Sequence, residues 1–262
     1  MVVKKFLQDK WFAILAAFGL GFVFAPMAFA GSLFDDLEQK KPDEWTILFT
    51  PYLWGTDIHG TSTVGTLPPL ELDVSFGDIL SKLNIAGSAH TEFHRGDWTF
   101  VIDPTYISLD IDIVTPVPGA SSPDADVNIW IVEAWTAYTV NPNWELLGGA
   151  RWQDQDIKLK GLPAPPFPVS PGVSDSWLDW FAGVRFTYAL GKKWGVSGRA
   201  DFVVAGDSDS TTNAILFFHR RIGENMSIDF GYRYFKDDYD NSPKYAWDVK
   251  EQGPLVGYTW AF

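Results

Sequence analysis

The chain has 262 residues, a formal charge of -13, a pI near 4.6 and no cysteine. The acidity argues against nucleic acid as a partner. The lack of cysteine excludes disulfides, thiolate catalysis and a thioether lipid anchor, and leaves export open. Charged residues make up only 20%, mean hydropathy is -0.04, and aromatics reach 16% with 13 Trp, a profile that suits a protein lining two water–lipid interfaces.

The first thirty residues read as an export signal. Lys4, Lys5 and Lys10 form a basic start, Trp11 to Phe24 an apolar stretch, and Pro26 breaks it before Ala28-Phe29-Ala30, a small-x-small pattern preceding Gly31. A retained anchor helix is the competing reading, since Trp11 to Ala30 is nearly long enough to span a bilayer; Pro26 and the cleavage pattern oppose it. Cleavage between Ala30 and Gly31 removes three Lys and one Asp, leaving a charge of -15. Residues 31–44 are polar and read as a periplasmic arm.

From Trp45 onward the pattern is strict alternation, the period of a strand with two unlike faces. Strands are expected near 45–57, 84–95, 98–112, 127–140, 144–160, 177–190, 194–205, 212–222, 226–237 and 248–262. One face is continuously apolar and aromatic, while the other carries charges such as Arg199 and Asp201. A sandwich would bury the first face against itself and leave the second in water; a barrel in lipid turns the apolar face out and the polar face in. The connections alternate short (95–97, 141–143, 191–193, 223–225) with long (58–83, 113–126, 161–176, 237–248, and a shorter one at 206–212). The expected fold is therefore all-β: a closed antiparallel transmembrane barrel of ten strands over 45–262, with eight or twelve as alternatives. Short periplasmic turns and longer outer loops connect the strands, and lipid of the outer membrane surrounds them. Two segments fit this scheme poorly. Ile215-Leu216-Phe217-Phe218 is apolar on both faces, and the third strand slips phase at Tyr106-Ile107, which suggests a bulge or emergence from the bilayer.

Trp45, Trp98, Trp144 and Trp194 each follow a polar turn and open an apolar-faced strand, so they belong at one depth, as an aromatic girdle at the periplasmic interface. Facing the lumen are Arg151, Arg185, Arg199 and Arg233, with Glu92, Asp103, Glu133, Glu145, Asp179, Asp201, Asp229 and Glu251 as candidate counter-charges. A small barrel is largely filled by side chains, so these charges must pair; a salt-bridge plug is the plain reading and the lining of a narrow solute path the sharper one.

Four histidines are present. His90, Glu92 and His94 share a strand face at a spacing that suits a metal, but without further His or Cys, lumen hydrogen bonding is the better reading, and no metal or cofactor is expected. Asp57 and His59 in the first long connection have the residue types of a hydrolase pair, yet no Ser- or Asp-based partner set can be assigned, so an enzyme is not expected. In the same connection Ser75 is placed to cap a short helix with Asp78 at its third position and Ile79, Leu80 and Leu83 on its apolar face, packed over the barrel mouth or gating it. Leu162-Pro-Ala-Pro-Pro-Phe-Pro reads as a stiff exposed loop.

Pro51-Tyr52-Leu53-Trp54, Val74-Ser75-Phe76-Gly77-Asp78-Ile79-Leu80, Gly231-Tyr232-Arg233-Tyr234 with Asp237-Asp238-Tyr239-Asp240, and Gly253-Pro254-Leu255-Val256-Gly257 resemble a group of uncharacterised proteobacterial outer-membrane β-barrel proteins, similar in build to the small OmpA- and OmpW-type barrels. The resemblance covers residues 45–262 and implies a barrel in the outer membrane of a Gram-negative bacterium; it carries no catalytic motif. The terminal Tyr258, Trp260 and Phe262 resemble the assembly signal read by the barrel assembly machinery. The expected function is a structural or surface-contact role through the outer loops. A narrow channel or hydrophobic small-molecule conduit of OmpW type is the alternative, and a surface hydrolase ranks last.

Overall fold

The computed structural model describes residues 44–65, 67–112, 124–160 and 172–262. The expected signal peptide with Ala28, Ala30 and Gly31, the arm up to residue 43, and the proline-rich loop lie outside the described residues. Among the described residues the strands are β1 Thr46–Trp54, β2 Asp57–Val64, β3 Leu70–Val74, β4 Leu83–Arg95, β5 Trp98–Asp112, β6 Asp124–Asn141, β7 Trp144–Lys160, β8 Gly172–Ala189, β9 Trp194–Gly206, β10 Ser210–Arg221, β11 Met226–Asn241 and β12 Tyr245–Ala261, with a helix, α1, over Phe76–Lys82.

Every strand pairs antiparallel with its neighbours. The ladder runs β1-β4-β5-β6-β7-β8-β9-β10-β11-β12 and closes through β1 and β12, so ten strands form the barrel, and β2 and β3 stand outside that ring. Closure is sealed by two backbone bonds between the chain end and the first strand, Phe262 N to Ile47 O at 2.9 Å and Ile47 N to Phe262 O at 3.1 Å. A closed ladder leaves no backbone edge unpaired, which is what a β-structure needs in hydrocarbon.

The first long connection is ordered. β2 continues the line of β1 along β12, pairing from Gln252↔Asp57 to Tyr245↔Val64, after a break at Gly55 and Thr56. The break sits where Gly253 of β12 passes the Gly55 carbonyl so closely that any Cβ on Gly253 would strike it. β3 then folds back on β2, and α1 begins with Ser75 Oγ accepting from Asp78 N at 3.3 Å and donating to Asp78 Oδ2 at 2.7 Å, the cap expected from the sequence. Ile79 of α1 is buried in the upper core.

Four expected connections need correction. The stretch 58–83 is a hairpin followed by a helix. The stretch 237–248 is almost all strand, β11 running to Asn241 and β12 starting at Tyr245. Residues 172–176 and 124–126 likewise belong to strands β8 and β6. The last three share a reason: the ladders continue past the point where the outer face stops being apolar, so a loss of exterior hydrophobicity does not mark the end of a strand. The phase slip at Tyr106-Ile107 has the same origin. β5 keeps an unbroken register with β6 from Trp98↔Tyr138 to Asp112↔Asp124, with Tyr106 outside and Ile107 buried inside. In β10, Ile215 and Phe217 line the lumen and Leu216 and Phe218 take the opposite face, which resolves its doubly apolar run.

Candidate functional site

Two polarity regimes divide the barrel along its axis. Near the short turns the exterior is apolar: on β11 Met226, Ile228, Phe230, Tyr232 and Tyr234 face out, and on β7 Trp144, Leu146 and Trp152 do. Large side chains such as Leu146 (56% exposed) and Phe202 (57%) stand uncovered, and a continuous belt of this kind requires hydrocarbon around it. Beyond Tyr234 the outward positions of β11 become Lys236, Asp238 and Asp240; those of β7 become Asp154, Asp156 and Lys158; those of β12 include Asp248 and Lys250. Over the same length the inside turns apolar, with Leu109, Val127, Ile129, Ile157, Trp177, Tyr239, Tyr245, Trp247 and Val249 joining one buried cluster. Trp177 stacks on Tyr239 at 4.3 Å between ring centroids. The upper barrel is thus built like a water-soluble β-protein, with a dry core and a wet exterior, and it extends the β11–β12 hairpin by seven residues of β11, roughly 20 Å along the strand.

Below that core lies a layer of interleaved cations, carboxylates and rings. Glu133 on β6 is its hub. It accepts from Arg151 Nε at 2.9 Å, Arg199 Nη1 at 2.6 Å and Arg233 Nη2 at 3.1 Å. Asp201 accepts from Arg151 Nη2 at 2.7 Å and from Asn213, and forms an ion pair with Arg199, whose Nε lies 2.7 Å from it. Each guanidinium lies over aromatic faces: Arg151 over Phe181 (4.8 Å) and Phe235 (4.9 Å), Arg199 over Trp135 (4.7 Å), and Arg233 over Trp54 (4.7 Å). Weakly hydrated, planar guanidinium suits such sandwiches in a way lysine does not. Arg185 forms a second centre with Glu92 (2.7 Å) and Glu145 (2.6 Å), joined to Asp103 through His90, whose two ring nitrogens lie 2.8 Å from Glu92 and 2.7 Å from Asp103.

The remaining inward carboxylates do other work. Asp179 receives Asp207 N, Ser208 N and Ser208 Oγ, and so holds the β9–β10 turn rather than an arginine. Asp229 contacts His219 at 2.8 Å. Glu251 has one oxygen with no hydrogen-bond partner among the described residues. His59 pairs with Asp73 at 2.8 Å across the β2–β3 hairpin, while Asp57 accepts from Phe76 N, so Asp57 and His59 do not act as a pair. His94 lies 2.9 Å from Glu92 and 3.0 Å from Thr99, and no group of three acidic, His or Cys side chains among the described residues is arranged for a metal.

The lumen below the charged layer is hollow. A cavity of about 590 Å³ opens at the short-turn end, where Asp97 and Asn141 to Asn143 form its rim, and ends above at Arg185, Arg199 and Arg233. Its apolar walls come from Leu48, Ile215, Phe217 and Leu255, and its polar ones include Ser197, His219, Asp229 and Thr259. The aromatic rings Trp135, Phe181 and Phe235 and the pair Ser197 and His219 were not singled out in the sequence. The signal was present, since all five occupy the inward phase of their strands.

Trp98, Trp144 and Trp194 are the first residues of β5, β7 and β9, and Trp45 immediately precedes β1, all at the short-turn end. Trp98 packs on Tyr138 (5.0 Å), Trp144 on Phe186 (5.4 Å), and Arg220 lies over Trp194 (5.1 Å). Tyr258 and Trp260 face outward in contact at 4.2 Å.

No family model and no curated protein matches the chain. Among solved structures it is similar to Ail, the attachment invasion locus protein of Yersinia pestis, at 13% identity over 84% of this chain and 99% of that one, with a TM-score of 0.37. It is also similar to neisserial surface protein A (11% identity, 84% and 100%, TM-score 0.35) and to the translocator domain of the autotransporter NalP from Neisseria meningitidis (11%, 88% and 93%, TM-score 0.41). The ten-strand closure stands on the pairings described above.

Proposed function

We propose that this chain is an exported outer-membrane barrel that does not conduct solutes and acts by surface contact, presenting its rigid β-extension and outer loops beyond the lipid. The reading is carried by one observation: the barrel changes from apolar-out to apolar-in along its axis, so its upper half is a packed hydrophobic core. A conduit would need a path through that core and through the ring-sandwiched arginines beneath it. The extension's outward face sets Asp154, Asp156, Asp238, Asp240 and Asp248 against Lys158, Lys236 and Lys250, an acidic excess that suits contact with basic or cation-bridged partners. The short turns and the Trp45/Trp98/Trp144/Trp194 ring lie on the periplasmic side, and the extension faces the medium.

Two measurements test this. Purified protein in planar bilayers should give no unitary channels; reproducible conductance would overturn the closed reading. An impermeant amine reagent applied to intact cells should modify Lys236 and Lys244 in the extension and spare Lys192 and Lys193 in the β8–β9 turn. The reverse pattern would invert the orientation.

A further inference from the structure

Three polar residues in the lower cavity form a relay that the charged layer does not use. Ser197 on β9, His219 on β10 and Asp229 on β11 all face inward from consecutive strands. His219 and Asp229 are direct cross-strand partners, and Ser197 lies diagonally across, opposite Phe217. Ser197 Oγ is 2.7 Å from His219 Nε2, and His219 Nδ1 is 2.8 Å from Asp229 Oδ1. Asp229 is fixed in turn by hydrogen bonds from Ser227 Oγ at 2.9 Å and from Thr259 Oγ1. A carboxylate saturated in this way holds the imidazole with its proton on Nδ1, which leaves Nε2 to accept from the serine hydroxyl. The arrangement differs from a filler hydrogen bond in two respects: the order is nucleophile, base, orienting acid, and the serine end lines an open cavity of about 590 Å³.

We propose that Ser197, His219 and Asp229 are a serine-hydrolase triad, acting on carboxylic esters that enter the lumen from the short-turn end. Ser197 Oγ attacks the ester carbonyl carbon while His219 Nε2 takes the hydroxyl proton, and Asp229 stabilises the imidazolium. The tetrahedral adduct collapses with cleavage of the C–O bond, and His219 returns the proton to the departing alkoxide, giving an alcohol and acyl-Ser197. Water, deprotonated by His219, then attacks the acyl carbon, releasing a carboxylic acid and restoring the Ser197 hydroxyl.

The surroundings suit this use. Phe217, Ile215 and Leu255 give an apolar wall for a short acyl chain. Arg199, two residues from Ser197 on the same strand face, lines the cavity and keeps its Nη2 without a hydrogen-bond partner among the described residues. Opening toward the turns and not through the wall, the site favours water-dispersed esters over intact bilayer lipid.

The test uses the purified, folded full-length barrel in detergent. An alkyl fluorophosphonate should modify it once, and peptide mass spectrometry should place the adduct on Ser197. Turnover of p-nitrophenyl butyrate should fall by about 10³-fold in Ser197→Ala and in His219→Gln, and should be unchanged in Ser176→Ala on the exterior of β8. Phospholipid in mixed micelles should be cleaved far more slowly than the short ester; equal rates would move the substrate assignment to lipid. Heat-shifted gel mobility identifies folded variants, and the adduct site in the unmodified sequence decides the matter even where a variant misfolds. Folded protein that takes no adduct, or takes it at another residue, overturns the triad.

Discussion

Arg199 on β9 places its Nη1 2.6 Å from Glu133 Oε2 on β6, a contact across the lumen between strands that two others separate in the ladder. Because Arg151 and Arg233 converge on the same carboxylate, Glu133 ties four strands, β6, β7, β9 and β11, through the barrel interior.

Replacing Glu133 with Gln keeps the shape and removes the charge, leaving Arg151 and Arg199 to share Asp201 and Arg233 without its carboxylate. The folded barrel should lose about 3–5 kcal/mol, as expected when one partner of a buried ionic group is removed. Urea unfolding in detergent measures this. An unchanged midpoint would show that the layer is hydrated and its pairing dispensable.

How much of this was legible beforehand follows from where alternation keeps a constant sense. Within the lipid belt, the phase that places Arg151, Arg185, Arg199 and Arg233 inside is unambiguous, because on β7, β8, β9 and β11 the positions alternating with these arginines are apolar. Past Trp152 and Tyr234 the alternation continues with its sense reversed: Ile157 and Tyr239 point in while Asp156 and Asp238 point out. Reading polarity as a proxy for strand existence therefore ended β11 at 237 and began β6 and β8 too late, although the period of two ran on; β7, expected over 144–160, has those bounds. Residues such as Ser197 and His219 were harder for another reason. Their juxtaposition depends on the β9–β10 and β10–β11 registers, which no single strand reveals.

At the outer rim, Asp175 of β8 accepts from Lys244 Nζ at 2.6 Å, Asn241 Nδ2 at 3.0 Å and Tyr239 Oη at 3.1 Å. Burial alone would raise this carboxyl, but the three donors outweigh it and hold it below the ordinary aspartate value. A depressed folded-state pKa contributes stability that is complete above the unfolded value, near 3.9, and is lost as pH falls through the folded one. Asp175→Asn should therefore lower the unfolding temperature at neutral pH and narrow the gap to the parent progressively below about pH 4. A gap independent of pH would assign the effect to packing.

Phe262 is 73% exposed, yet its backbone closes the barrel against Ile47. Changing Trp260 and Phe262 together to Ser removes outward-facing rings without touching that backbone pairing. Well over half of the membrane-inserted protein should be lost, while the folded fraction keeps nearly its parental unfolding midpoint. Normal insertion with reduced stability would make these residues lipid contacts only, and would remove the case for a C-terminal assembly signal.

The reversal of polarity along the strands is most directly tested on β11, using the absence of native cysteine. Single cysteines at Phe230, Tyr234, Phe235, Asp238, Tyr239 and Asp240 would be exposed to a membrane-impermeant maleimide with the barrel folded in liposomes. Reaction is expected at 238 and 240 and protection at 230 and 234, where lipid covers the exterior, and at 235 and 239, where the inner core does. Labelling at 239 as fast as at 238 would mean that the upper barrel is open to water, and would contradict the closed, inverted architecture.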